Sequence, residues 1–127
     1  MPRSIAVLCV GDEPTIAFLR RLLLSVADYS VVSAHTFDAA LRLFAFNEVD
    51  VVITGNLLGE HSGVELCWEM KWLKPEVPLV LFTGLKDLPR ASEPIDLVLA
   101  LNMTPPAFLD AIAVLVAKRP LGNGTGN

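Results

Sequence analysis

A chain of 127 residues has the length of one compact domain, long enough to bury a two-faced core without disulfides or metals and too short for a second folded unit. Its apolar content of 53% and mean hydropathy of +0.53 are high, yet no apolar stretch approaches the ~20 residues needed to cross a bilayer as a helix. A net charge of −4, a pI near 5.0 and scattered Lys and Arg exclude a general nucleic-acid binder, which needs a clustered excess of basic residues.

Ile5 to Val10 is a near-continuous apolar run ending at Gly11, and reads as a strand buried on both faces and stopped by a turn. It is too short for a signal-peptide core and leads into Asp12 and Glu13, so a cytoplasmic protein is expected. Pro14 opens a helix at its favoured first turn, with Ile16, Leu19, Leu22, Leu23 and Val26 along one side. Tyr29 to Ala34 predicts a second strand, and Thr36 caps a helix whose apolar stripe is Phe37, Ala40, Leu41, Phe44 and Ala45. Asp50 introduces a third strand, Val51 to Thr54, followed by a long glycine-spaced loop from Gly55 to Gly63. Ser62 caps the next helix, with Val64, Leu66, Cys67 and Met70 within it and Pro75 beyond its end. Val77 to Phe82 and Ile95 to Leu101 predict two further strands, and Thr104 with Pro105 forms the cap and first turn of a last helix to about Lys118. Residues 1–119 are thus expected to form the domain. Residues 120–127, rich in Gly and Asn, read as a flexible tail or linker stub.

Strands alternating with amphipathic helices make βαβ units with right-handed crossovers. The expected fold is therefore α/β: a doubly wound, five-stranded parallel sheet of order 2-1-3-4-5 in a three-layer αβα sandwich. Ligands in such sheets sit beyond the carboxyl ends of the strands, beside the first strand, which gathers Asp12, Glu13, Gly55, Thr83 and Leu101 around one crevice. Cys9 and Cys67 have no CxxC spacing and read as buried free thiols in a reducing compartment, with no disulfide framework or zinc site. His35 and His61 are too far apart in the pattern for a metal pair, and each reads as an exposed strand-end or loop residue. Trp68 and Trp72, four apart, share one helix face. Packing on the sheet or a neighbouring helix is the ordinary reading of that pair, and a docking surface is the other.

The residues at these strand ends, and their order, resemble the receiver domain of bacterial two-component response regulators from about Ile5 to Val116. VLCVGDEP is similar to the first strand and its acidic turn, AHTFDAAL to the second strand running into its helix, DVVITGNLLGEHSGVEL to the third strand with its acceptor loop, and PLVLFTG to the fourth strand with its switch hydroxyl. The resemblance implies a flavodoxin-like fold. It also implies a carboxylate that accepts a phosphoryl group, an acid pair that holds Mg2+, and a hydroxyl and a lysine that bind the phosphoryl oxygens. Carried over position by position, the first acid falls on Gly11 and the second, the direct metal ligand, on Asp12. The acceptor falls on Gly55, the hydroxyl on Thr83 and the lysine on Leu101, and the proline after the lysine becomes Asn102. The register at Gly55 rests on Gly59 and Gly63, which coincide with the family's loop proline and glycine. Asp50 cannot stand in, because it lies at the other end of its strand, roughly 17 Å away.

The resemblance thus implies a degenerate receiver without a phospho-acceptor. Glycine offers no side chain to phosphorylate, and Leu101 makes its corner of the crevice apolar. Asp12 reads either as an acid accepting N–H bonds at the start of the first helix or as a vestigial metal ligand that would not suffice alone. Thr83 is a strand-end hydroxyl or a retained switch residue, while strand alternation points Thr54 away from the crevice. From Thr83 to Leu101 the chain is about four residues shorter than in the family, roughly one helical turn, and Pro89 and Pro94 interrupt it. A shortened or irregular fourth helix follows, and the bond from Leu101 to Asn102 is expected to be trans. The remodelled face would present Leu85, Leu88, Leu97, Leu99 and Leu101 as an apolar interaction surface.

The expected function is that of a phosphorylation-independent pseudo-receiver acting in signal transduction through a protein partner: a histidine kinase, an output domain or another copy of itself. No cofactor, no catalytic residue and no direct contact with nucleic acid or membrane is expected. The alternative is an atypical receiver regulated by a small ligand or metal in the crevice at Asp12 and Thr83. An enzyme is not expected, since no glycine-rich phosphate loop follows a strand and no group of nucleophile, base and orienter is visible.

Overall fold

The computed structural model describes residues 4–84 and 92–118. Strands β1 (Ile5–Val10), β2 (Tyr29–Ala34), β3 (Val51–Gly55), β6 (Leu79–Thr83) and β7 (Leu97–Ala100) form one parallel sheet in the order β2-β1-β3-β6-β7. Counting only these strands along the chain, that is the expected order 2-1-3-4-5. The loop after β3, expected to be irregular, adds a small antiparallel hairpin, β4 (Leu57–Leu58) and β5 (His61–Ser62). Among the described residues four helices cover the sheet: α1 (Glu13–Leu23), α2 (Phe37–Phe46), α3 (Gly63–Leu73) and α4 (Pro105–Lys118).

Alternation along the strands divides the core in two. Leu8, Val10, Val52 and Leu79 face α2 and α3 and meet Ala40, Phe44, Leu66, Cys67 and Met70. Val7, Cys9, Ile53, Val80, Phe82 and Leu99 face α1 and α4 and meet Leu19, Leu23, Phe108 and Ile112, with the Phe82 and Phe108 rings edge to face at 5.5 Å. The predicted caps are present. Thr36 accepts from the Ala39 N–H at 3.1 Å, Thr104 accepts from Ala107 at 3.3 Å, and Ser62 and Glu65 form a reciprocal capping box. At the amino end of the sheet, carboxylates anchor strand starts: Asp50 accepts from the Ala6 N–H at 2.7 Å, and Asp96 from the Leu79 N–H at 2.8 Å.

Several expectations need correction. Leu99 is only 2% exposed, so it belongs to the core under α4 and not to an interaction surface. Ala45 is exposed, leaving Ala40 and Phe44 as the buried residues of α2. β6 begins at Leu79, later than the predicted Val77, and β7 is shorter than the predicted run from Ile95 to Leu101. Trp68 and Trp72 do not pack inward; they stand in solvent. The predicted short fourth helix falls mainly on residues 85–91, and Leu85 and Leu88 with it, outside the described residues; residues 92–96 contain no helix. The expected tail also lies outside them.

Candidate functional site

Strand register brings the candidate positions level. Val10 pairs with both Ala34 and Thr54, Gly55 with Phe82, and Thr83 with Ala100. The residues that follow β1, end β3 and β6, and follow β7 therefore meet at the carboxyl edge of the sheet. They enclose a crevice of about 210 Å3 to which Gly11, Asp12, Gly55, Thr83 and Leu101 all contribute. Of the five positions that the strand pattern gathers, Asp12, Gly55, Thr83 and Leu101 share this cavity and Glu13 does not; Gly11, carried over from the resemblance, joins them. Thr15, Asn56, Leu57, Phe82 and Gly84 complete the walls; the strand pattern does not mark these five, although Asn56 directly follows Gly55, and Phe82 and Gly84 adjoin Thr83.

Asp12 is the N-cap of α1: its Oδ1 accepts from the Thr15 N–H at 2.9 Å. Hydrogen bonds from Thr15 hold its carboxyl below the usual aspartate range. It is the only carboxylate lining the crevice among the described residues, which hold no cluster of three or more metal-ligating side chains. Glu13 turns outward instead, its Oε1 pairing with His35 Nε2 at 2.5 Å. His61 stacks on the Phe37 ring at 4.3 Å, far from any pairing with His35. Thr54 faces away from the crevice, fully buried, and its hydroxyl donates to the Gly55 carbonyl at 2.9 Å.

The glycines differ in what they permit. A Cβ added at Gly55 would come no closer than 3.8 Å to another atom, and one at Gly11 no closer than 3.4 Å, so neither position needs glycine for space. Gly63 does, because its Cβ would lie 2.1 Å from the Gly55 carbonyl oxygen. The Gly63 N–H meanwhile donates to the Asn56 carbonyl at 2.7 Å, closing the loop. Gly59 sits at φ +66° in the turn of the hairpin. The proline that the resemblance implies there, locked near −65°, could not adopt that conformation.

Leu101 fills the remaining corner. Its backbone N–H donates to the Thr83 carbonyl at 3.1 Å, its side chain is 56% exposed, and the bond to Asn102 is trans. Thr83 is 4% exposed, and among the described residues its hydroxyl makes no hydrogen bond. Beyond Leu101 the crevice continues as an apolar groove of about 250 Å3 along Pro14, Phe18 and Phe82.

With this fold and this edge, the chain belongs to the response regulator receiver domain family, whose model matches residues 7–100. It is similar to the transcriptional regulatory protein GlrR of Escherichia coli, 32% identical over 85 residues that make up 67% of this chain and 19% of that protein. It is also similar to the transcriptional regulatory protein KdpE of Mycobacterium tuberculosis, 34% identical over 82 residues, 64% of this chain and 35% of that one. The chain therefore spans between 19% and 35% of the length of these two relatives. Among solved structures, the signal receiver domain of an HD domain-containing protein from Pseudomonas fluorescens superposes with a TM-score of 0.85 at 26% identity, covering 92% of this chain and 98% of that one. A receiver domain from Clostridium thermocellum gives 0.80 at 27% identity, covering 94% and 99%.

Proposed function

We propose that this receiver domain signals without phosphorylation, as a pseudo-receiver that docks a protein partner through a fixed surface. The observation that carries the reading is Gly55, a residue without a nucleophile at the position where the resemblance puts the acceptor, in a backbone that has room for a side chain. The rest of the crevice agrees with it. Mg2+ at such a site is bound through one or two carboxylates plus phosphate oxygens. Here the one carboxylate, Asp12, is engaged as a helix cap, and Gly11 and Gly55 supply no side-chain oxygen, so the donor set does not fit the ion. Leu101 stands where a lysine would neutralise a phosphoryl oxygen, and it offers only apolar surface.

The partner in this reading is a histidine kinase, an output domain or a second copy, in a cytoplasmic setting, and the domain has no enzymatic role. Leu101, at the exposed end of β7, and Val114, exposed on α4, supply apolar surface for such a contact, with Leu97 at its partly buried rim. Incubation with acetyl phosphate and Mg2+ followed by intact mass measurement tests the reading. The mass of this chain is expected to stay unchanged, while a Gly11→Asp, Gly55→Asp, Leu101→Lys variant gains one phosphoryl group. A stable adduct on the unaltered chain would overturn it.

A second reading, regulation by a small ligand in the crevice, is favoured by the buried Thr83 hydroxyl at the edge of a cavity that runs on into an apolar groove. Calorimetric titration with divalent metals and nucleotides checks it, and absence of heat at millimolar concentration removes it.

A further inference from the structure

Helix α3 is apolar on two opposite faces. Leu66, Cys67 and Met70 are buried against the sheet. At 3.6 residues per turn, Trp68 and Trp72 fall on the far side, where they are 53% and 86% exposed. Large aromatic side chains exposed on the outer face of a helix mark a surface suited to cover by a partner. The outward faces of α1 and α2, by contrast, carry Arg20, Arg21, Asp38 and Arg42. Exposed tryptophans on a rigid helix are the kind of side chain that dominates binding energy at protein interfaces. The aromatic surface also extends past α3. Lys74 Nζ donates to the carbonyls of Phe44 at 2.7 Å and Asn47 at 3.0 Å, tying the ends of α2 and α3 together, and Phe46, 83% exposed, sits at that end.

The charge around this face is acidic. Glu69 lies beside the tryptophans on α3 and Glu76 is exposed just past its end, whereas the Glu65 carboxylate is taken up by the Ser62 N–H of the capping box at 2.7 Å and lies 3.8 Å from His61 Nδ1. Lys71 is neutralised by Asp96 at 2.8 Å, while Lys74 keeps its charge but turns it away from the tryptophans, onto the carbonyls at the end of α2. Arg42, the outward cation of α2, pairs with neither Glu69 nor Glu76 among the described residues, so these two carboxylates are left to a partner. A second copy would bring the same acids against themselves across a two-fold contact. An arginine or lysine, by contrast, can stack on an indole face and pair with a glutamate in one stroke.

We propose that the Trp68 and Trp72 face of α3 is a docking site for a basic helical or extended segment of a protein partner that carries apolar anchors. The proposal rests on the reading of the domain as an interaction module and does not depend on the loss of phosphorylation.

Selection of a displayed library of random, tryptophan-free peptides against the full chain supplies the probe. The enriched peptides are expected to be net positive with aliphatic or aromatic anchors. They should shift the tryptophan emission to the blue saturably, a signal that reports this face alone because the chain has no other tryptophan. Trp72→Ala is expected to weaken the enriched peptide roughly tenfold or more. Glu69→Lys should weaken it several-fold, with a loss that fades at high salt. Both residues are exposed, so the urea midpoints of these variants should match the parent. The proposal is overturned by an empty selection, by enriched peptides without basic bias, or by equal binding to a Trp68→Ala, Trp72→Ala double variant. Self-association that the double variant abolishes also overturns it, handing the face to a second copy. In each of those cases the acetyl phosphate measurement still decides the pseudo-receiver reading independently.

Discussion

A glycine is informative only through what a side chain would meet in its place, and two glycines in contact here give opposite answers. At the first position of α3, alanine would ordinarily stabilise the helix. Gly63→Ala should instead cost ~3 kcal/mol, because its Cβ would press on the Gly55 carbonyl oxygen, a backbone atom that cannot swing aside. Gly55→Ala meets nothing closer than 3.8 Å and should change stability by less than ~1 kcal/mol. Urea denaturation of the two variants checks the pair, and equal losses would contradict the contact. The sequence located both glycines through their spacing but did not distinguish them, since a repeat of small residues carries no record of which one lies against another strand's carbonyl.

Among the elements, α1 depends on its cap. The bonds from Thr15 lower the Asp12 pKa in the folded state, so the stability this carboxylate contributes is fully present above its ordinary value near 3.8 and is lost as the pH falls through the lowered folded value. Asp12→Ala should therefore cost about 1 kcal/mol at pH 7, with the gap to the parent narrowing below pH 3.8. Asp12→Asn, which keeps an acceptor oxygen, should cost less and show no such narrowing; urea midpoints across pH measure both. Capping residues were legible in the sequence because a cap needs a particular side chain at a particular offset. Facing direction was less legible. In a sheet covered on both sides the leucines of β7 are apolar whichever way they point, so the pattern alone does not tell a surface leucine from Leu99, which lies under α4. The tryptophans of α3 pose the converse case: four-residue spacing puts them on one face, and apolar residues on the opposite face left the inward choice open.

For the whole molecule, the sheet joins two cores that hold one thiol each, Cys9 on the α1 and α4 side and Cys67 on the α2 and α3 side. Burial pushes both thiols up to about 12, so alkylation by iodoacetamide at pH 8 should be negligible in the native state and complete in urea. If the two layers open together, mass mapping of labelled peptides will give equal rates for Cys9 and Cys67; a faster rate at one would mark its layer as opening separately. Strand order and the position of the crevice were legible because alternation of strands and helices restricts the topology severely. The hairpin and the walls at Asn56 and Leu57 were not, because they depend on a loop path that a two-residue strand hardly signals. The space left beside Gly11 and Gly55 bears finally on heredity. A single base change turns any glycine codon into an acidic one, so carboxylates are within one step of this crevice at two positions that have room for them, whereas Leu101 needs more than one base change to become lysine.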